Sequence, residues 1–345
     1  MNARFASQDE IAIWDSLIAL NPNGGNIFQV KAFAEIKGSN LWTPRFILIE
    51  NIYMSVLERT VSPIGKFWYS PKGPGISDIE DIKKIIPGLK KLARDNGVFA
   101  VRIEPELIEN SSNKAELRKI GLVNSTGIQA ANTIIIDVSR PIEDVIDSFT
   151  SKTRYNIRQA EKANLEFKIE PATDEICKIF YKLMSDAVAG RSFLRPFDYH
   201  KNIWQQYEKS GAGFFMFAYK DGAVQAADFI MLNGINAARK DAGSDREHSI
   251  RGASALLEVE VIKKLQTMGV KNYDLYGSPP SSRIKDSTHP YYGFGTFKSG
   301  FNENVTDYVG CEDLVIKPLA YKYWIKLGER LAHRLHRKKH GDRYY

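Results

Sequence analysis

A lysine stands inside a run of glycines and aromatics, Tyr292-Gly293-Phe294-Gly295-Thr296-Phe297-Lys298-Ser299-Gly300-Phe301. Glycines there would let backbone approach a ligand, and the flanking rings would partly desolvate Lys298 and strengthen its field on a nearby oxyanion. A glycine-rich turn with core aromatics and a surface lysine is the equally simple alternative. In Ser151 to Lys162, the cations Arg154, Arg158 and Lys162 recur every four residues. On a helix they form one row, with Ile157 and Ala160 free to face a core. Such a row suits phosphates, although a solvated helix face is the plainer account. Trp68 to Pro74 holds two prolines and a glycine and reads as a stiff loop at a strand end. Arg102-Ile103-Glu104-Pro105 puts a charged pair at the end of an apolar strand, either an ion pair at a sheet edge or a carboxylate able to accept a proton from an amine.

The elements that must position these residues follow from hydrophobic period and turn residues. An amphipathic helix with Ile11, Trp14 and Ile18 on one face opens the chain, followed by a short helix near Val30 to Ile36. Residues 45–50 and 53–60 read as a hairpin and 66–70 as a third strand. A helix is expected over 77–96, with Ser77 and Glu80 at capping-box spacing, then a strand at 98–103, a helix at 114–120 and a strand at 133–138. From Ile142 the order repeats in outline. Helices are expected at 142–163, 173–189 and 198–209, and strands at 213–219, 223–232 and 235–241. Asp221-Gly222 and Asn233-Gly234 are hairpin turns of type I′. A helix over 251–268 and a strand at 273–276 complete the unit. Paired helices, an antiparallel meander, a long helix and a further strand form the element order of the GNAT acyltransferase fold, here present twice.

With 345 residues, 43% hydrophobic and 26% charged, a packed core of two domains is expected. The net charge of +7 is concentrated: residues 320 to 345 hold eight basic and two acidic side chains, which leaves +1 for the rest. Cys177 and Cys311 lie far apart with no nearby His or second Cys, so neither a disulfide framework nor a metal site is expected, and a reducing cytoplasmic setting fits. Residues 1 to 20 lack the apolar stretch of a secretory signal, and no run approaches a membrane span.

In this order the segments resemble the FemABX family of peptidoglycan peptide-bridge transferases. The marks are Ala34 to Lys37 before Trp42, Pro71 to Pro74, Arg102 to Pro105, Ile128-Gln129, Ser151 to Lys162, Leu194-Arg195-Pro196, Tyr273 to Gly277 and Phe297 to Phe301. The resemblance implies an α/β (α+β) fold of two tandem GNAT-like domains, with mixed, mostly antiparallel sheets flanked by helices. The first spans residues 1–140 and is completed by 309–345, the second spans 141–308, and the acceptor lies in a cleft between them. It also implies transfer of an amino acid from aminoacyl-tRNA to a stem-peptide amine of UDP-MurNAc-pentapeptide or lipid II, with no cofactor beyond that co-substrate. By position, Lys37 and Arg195 match residues that bind the acceptor's phosphates, and Tyr199 matches an acceptor-contacting tyrosine. Lys298 matches the lysine that stabilises charge on the aminoacyl group, and Glu104 stands where an aspartate lies near the acceptor amine. On their spacing, Arg154 and Arg158 are further candidates for phosphate contact. Asp241 replaces a tyrosine often found before Ala-Gly-Ser, and Lys72 replaces a common arginine.

Two further features bear on partners. Acetyl-CoA GNAT enzymes hold pyrophosphate with a Gln/Arg-x-x-Gly-x-Gly/Ala loop, and at that place this chain has Ser249-Ile250-Arg251-Gly252-Ala253-Ser254, which departs at the first and last positions. That disfavours coenzyme A as donor. The basic tail continues as an amphipathic helix with Tyr323, Leu327, Leu331 and Leu335 on one stripe, suited to tRNA phosphates, to peripheral contact with the inner membrane leaflet, or to plain solvation. The alternatives to a FemABX-like enzyme are an N-acyltransferase acting on another amine and a non-catalytic protein binding RNA or membrane through this tail.

Overall fold

A computed structural model describes residues 3–38, 41–188, 194–248, 250–341 and 343–345. The chain forms two compact units, residues Met1–Ala131 with Tyr308–Tyr345, and residues Asn132–Asp307.

In the first unit a seven-stranded sheet runs, in spatial order, Ala3–Phe5, Thr43–Ile49, Ile52–Val61, Gly65–Ser70, Val98–Ile103, Glu312–Val315 and Leu122–Asn124. All neighbours are antiparallel except Gly65–Ser70 with Val98–Ile103, which are parallel because the helix Ile79–Asp95 carries the chain across between them. Ile82, Ile85, Ile86 and Leu89 of that helix are buried against sheet residues such as Trp68, Val98 and Val101. The helix begins later than expected: Asp78, not Ser77, is its cap, accepting from the N–H groups of Glu80 and Asp81. The opening helix is broken at Ile13 into Gln8–Ala12 and Trp14–Ala19. Ser7 and Glu10 form the reciprocal capping box there.

The second unit repeats the design. Its six-stranded sheet runs Ile135–Asp137, Asn272–Asp274, Asn236–Ser244, Ala223–Asn233, Gly213–Lys220 and Glu166–Glu170, and its one parallel pair, Asn236–Ser244 with Asn272–Asp274, is again joined by a long helix, Ala253–Thr267. The strand expected at 133–138 is split into Asn132–Thr133 and Ile135–Asp137, and both pieces pair within this unit. Thr150 caps Thr153 and divides the expected 142–163 helix into Ile142–Asp147 and Ser151–Glu161. Of the two turns, Asp221-Gly222 has positive φ at both residues (48° and 79°), as type I′ requires. The other is shifted by one residue: Asn233 pairs with Asn236, so Gly234 (φ 58°) and Ile235 form the loop.

Candidate active site

The glycine-rich run around Lys298 is a helix, Tyr292–Lys298, rather than a turn. Two of the run's three glycines, Gly295 and Gly300, serve packing against protein, whereas Gly293 faces open space. A Cβ on Gly295 would stand 2.6 Å from Pro279 Cδ, and one on Gly300 would collide with the Thr153 hydroxyl. The close approach seats the helix so that Lys298 is 7% exposed and points at two carbonyls, donating to the oxygens of Tyr276 (2.6 Å) and Gly277 (2.7 Å). Those carbonyls are turned by consecutive positive φ angles, 52° at Tyr276 and 82° at Gly277. The turn is held from behind. Tyr276 N–H donates to Asp274 Oδ1 (2.6 Å), Gly277 N–H to Thr133 Oγ1 (3.2 Å), and the Thr133 hydroxyl to Asp274.

Beneath the lysine lies a buried ionic cluster that sequence reading missed. Arg239 pairs with Asp228 (2.7 Å) and Glu258 (2.5 Å), and Tyr273 OH donates to Glu258 Oε2 (2.7 Å). Asp228, Glu258 and Tyr273 are fully buried, and Asp228 Oδ2 has no hydrogen-bond partner among the described residues. Burial raises both carboxyl pKa values against the pull of Arg239. Lys298 is pushed down to about 7, first by burial and then by the Arg239 charge. The available signal was an isolated charge inside an apolar stretch: Asp228 between Ala227 and Phe229, and Glu258 between Leu257 and Val259.

Other candidates of this unit connect to the same turn. Lys240 stands over the Tyr276 ring (5.3 Å) and donates to Asp241 (3.3 Å). Asp241 Oδ2 accepts from Trp204 Nε1 (2.9 Å) and faces His200 Nδ1 at 3.6 Å. Burial would raise the Asp241 pKa, but Lys240, His200 and Trp204 together hold it well below the usual carboxylate range. His200 and Trp204 lie on the helix Phe197–Lys209, which also carries Tyr199, and the Arg195 guanidinium stacks over the Tyr199 ring at 4.3 Å. A run of contacts therefore links Arg195 and Tyr199 to Lys298. Arg154 and Arg158 stand apart from it. Arg154 donates to the carbonyls of Asp147 and Phe149, closing the end of the preceding helix, and Arg158 is exposed. The basic row is thus partly committed to structure.

The remaining candidates belong to the first unit. Glu104 is buried with both oxygens engaged: Oε1 accepts from the N–H groups of Ile128 (2.9 Å) and Gln129 (2.8 Å) and from Cys311 Sγ (2.9 Å), and Oε2 accepts from Tyr69 OH (2.6 Å). Burial beside this carboxylate raises the Cys311 thiol pKa. Arg102 is not its partner, nor does it lie at a sheet edge. It forks onto Asp313 (2.8 and 2.9 Å) of the adjacent strand and reaches Glu329 (2.5 Å) and Tyr345 OH (3.1 Å). Lys72 has φ 50°, lies 3.7 Å from Glu106 and stands over the Tyr308 ring. Lys37 is buried at the end of the helix Lys31–Gly38, over the Phe33 ring.

At the start of the long helix Ala253–Thr267, Gly252 adopts φ 88°, and a Cβ there would stand on the Asn156 carbonyl. This glycine is required by contact with the neighbouring helix. Ser249 of the same loop lies outside the described residues. Among the described residues no cluster of His, Cys, Asp and Glu suits a metal ion, and no helix is long and apolar enough to cross a membrane.

Residues 148–286 match the family model described as an acetyltransferase (GNAT) domain. No curated protein matches the sequence. Among solved structures, FemX aligns with a TM-score of 0.80 over 93% of this chain and 99% of that one, at 16% identity. L-PGS from Bacillus licheniformis aligns at 0.54 over 95% and 98%, at 12% identity. The C-terminal domain of a candidate lysylphosphatidylglycerol synthetase from Agrobacterium fabrum aligns at 0.53 over 93% and 97%, at 15% identity. The chain accordingly has a tandem GNAT-like fold, similar along nearly its whole length to that of FemX, and residues 148–286 match the acetyltransferase (GNAT) domain model.

Proposed function

We propose that this protein is an aminoacyltransferase that moves an amino acid from aminoacyl-tRNA to a stem-peptide amine of a peptidoglycan precursor, UDP-MurNAc-pentapeptide or lipid II. The observation that carries this reading is Lys298, desolvated and aimed by two carbonyls, in the motif that resembles the FemABX transferases. The FemX-like fold supports it.

In the proposed reaction the acceptor amine attacks the ester carbon of aminoacyl-tRNA, and the carbonyl oxygen becomes an oxyanion. As the tetrahedral intermediate collapses, the tRNA 3′-terminal hydroxyl leaves and the amine gives up its proton. Lys298 in its ammonium form stabilises the oxyanion, where a charge held in a low-dielectric setting acts most strongly. No covalent enzyme intermediate is needed because the ester is already activated. Arg195 and Tyr199 are assigned to the acceptor, as are Lys37, Lys72 and Asp241, with Arg154 and Arg158 as peripheral phosphate contacts. Glu104 is assigned to holding the Ile128-Gln129 backbone, since its oxygens already accept four donors. We place the protein in the cytoplasm, where charged tRNA is found.

A second reading rests on the match of residues 148–286 to an acetyltransferase domain: transfer of another acyl group, from coenzyme A or another activated donor, to an amine. A transfer assay decides between them, with a panel of charged tRNAs and acetyl-CoA as donors, soluble and lipid-linked precursors as acceptors, and product mass as readout. An aminoacylated precursor formed only with charged tRNA is expected. Product from acetyl-CoA alone would support the second reading, and no product with any pair would overturn both.

A further inference from the structure

The C-terminal segment is helical from Pro318 to His340, with a wider turn at Trp324–Gly328. Its inner side is fixed to the first unit. Trp324 is fully buried near Phe67 and Phe99, Glu329 is bound by Arg102, and Tyr321 OH donates to Asp313 (3.0 Å). Its outer side carries a row of large apolar residues: Leu319 is 86% exposed, Leu327 63%, Leu331 52% and Leu335 56%, with Tyr323 between them. A four-residue repeat drifts by about 40° per step around an α-helix of 3.6 residues per turn. The wider turn in mid-segment offsets that drift, so the row stays on one side.

A second row precedes the first by one residue: Lys322, Lys326, Arg330, Arg334 and Lys338, all exposed. Arg337 and Lys339 add two more exposed cations. Glu329, the only carboxylate between Pro318 and His340, is drawn inward to Arg102, so no acid within this helix offsets these cations on the outer side. We infer that this helix docks on an anionic lipid bilayer surface, with the leucine row entering the boundary between headgroups and acyl chains and the cationic row contacting lipid phosphates. Nucleic acid would use the cations, but it gives an exposed leucine row nothing to bury against. A bilayer uses both, because Lys and Arg stems lie along the apolar layer while their charges reach the headgroups. The inference is independent of the donor and acceptor proposed above.

The test is co-sedimentation of the full-length protein with phosphatidylcholine vesicles, with or without about 30% phosphatidylglycerol. Parallel titrations use bulk tRNA. One variant combines Leu327→Gln, Leu331→Gln and Leu335→Gln, another Arg330→Gln, Arg334→Gln and Lys338→Gln, with thermal melts to confirm that both stay folded. Binding to the anionic vesicles only is expected, weakened about tenfold or more by either variant. Absence of vesicle binding by the unmodified protein would overturn the inference, as would a leucine variant that binds vesicles normally. Absence of vesicle binding together with tRNA affinity that falls in the cationic variant would assign the surface to nucleic acid instead.

Discussion

Lys298 Nζ lies 2.6 Å from the carbonyl oxygen of Tyr276, a residue held in the left-handed region with φ 52°. Few side chains accept that conformation without cost, and Asp274 holds it by accepting from the Tyr276 N–H. The lysine is thereby aimed by backbone, and its direction does not depend on a mobile partner.

Lys298→Met should lower transfer by about 10²–10³-fold or more while acceptor affinity is retained, as expected for a group that acts on transition-state charge. Single-turnover transfer and acceptor titration measure the two separately. Near-normal turnover would remove Lys298 from the chemistry.

The Lys298 ammonium has its pKa near 7, so its charge is lost as pH rises through that value. If the charged form holds the oxyanion, the rate should fall above about pH 7, and Lys298→Arg, which stays charged, should move that fall upward. A rate that instead rises through pH 7 would make the neutral amine a proton acceptor.

The same shift affects stability. Unfolding returns the lysine toward its ordinary value of 10.5, so between about 7 and 10.5 the unfolded chain holds the extra proton. This group therefore makes the folded state more stable as pH rises across that window. Lys298→Met should flatten the slope in urea unfolding measured from pH 7 to 10.

Arg239→Met would leave Asp228 and Glu258 buried without their cation, at a cost of about 3–5 kcal/mol in denaturant unfolding. Glu258→Gln should cost much less, because burial already favours the protonated acid and an amide oxygen can still accept from Tyr273. Equal losses for the two variants would contradict this description of the cluster.

Gly252→Ala should be far worse than Gly97→Ala. Both glycines have positive φ, which costs alanine about 1–2 kcal/mol. A Cβ at Gly97 meets nothing, whereas at Gly252 it strikes the Asn156 carbonyl. Comparable unfolding midpoints for the two variants would contradict this packing.

Much of the fold could be read from pattern, because long amphipathic helices and the Asp221-Gly222 turn carry strong local signals. The tandem GNAT-like arrangement followed from the repeated element order. What escaped was short or decided by distant contacts. Ala3–Phe5 has three residues, and Glu166–Glu170 is an edge strand with charges at three of its five positions. The 292–298 helix contradicts the turn preference of its glycines because Pro279 requires a hydrogen-sized side chain at Gly295. At the candidate site, Lys298 was visible through its aromatic neighbours. Its supporting cluster was not, since Asp228, Arg239 and Glu258 meet only when two strands and a helix are assembled. Glu104 and Arg102 looked like a pair from spacing alone, and the true partners are more than twenty residues away from each.

The strand Glu312–Val315 lies between Val98–Ile103 and Leu122–Asn124, and Asp313 reaches Arg102 across 211 positions of sequence. On a ribosome adding about 5–20 residues per second, the early sheet must wait on the order of tens of seconds for its missing strand. Throughout that interval Arg102 lacks its carboxylates and two strand edges stand open. The second unit, continuous from Asn132 to Asp307, can close meanwhile. Completion is therefore inverted relative to birth: the earlier unit to emerge is the later to finish, because any fragment ending before Glu312 lacks the strand that joins Val98–Ile103 to Leu122–Asn124.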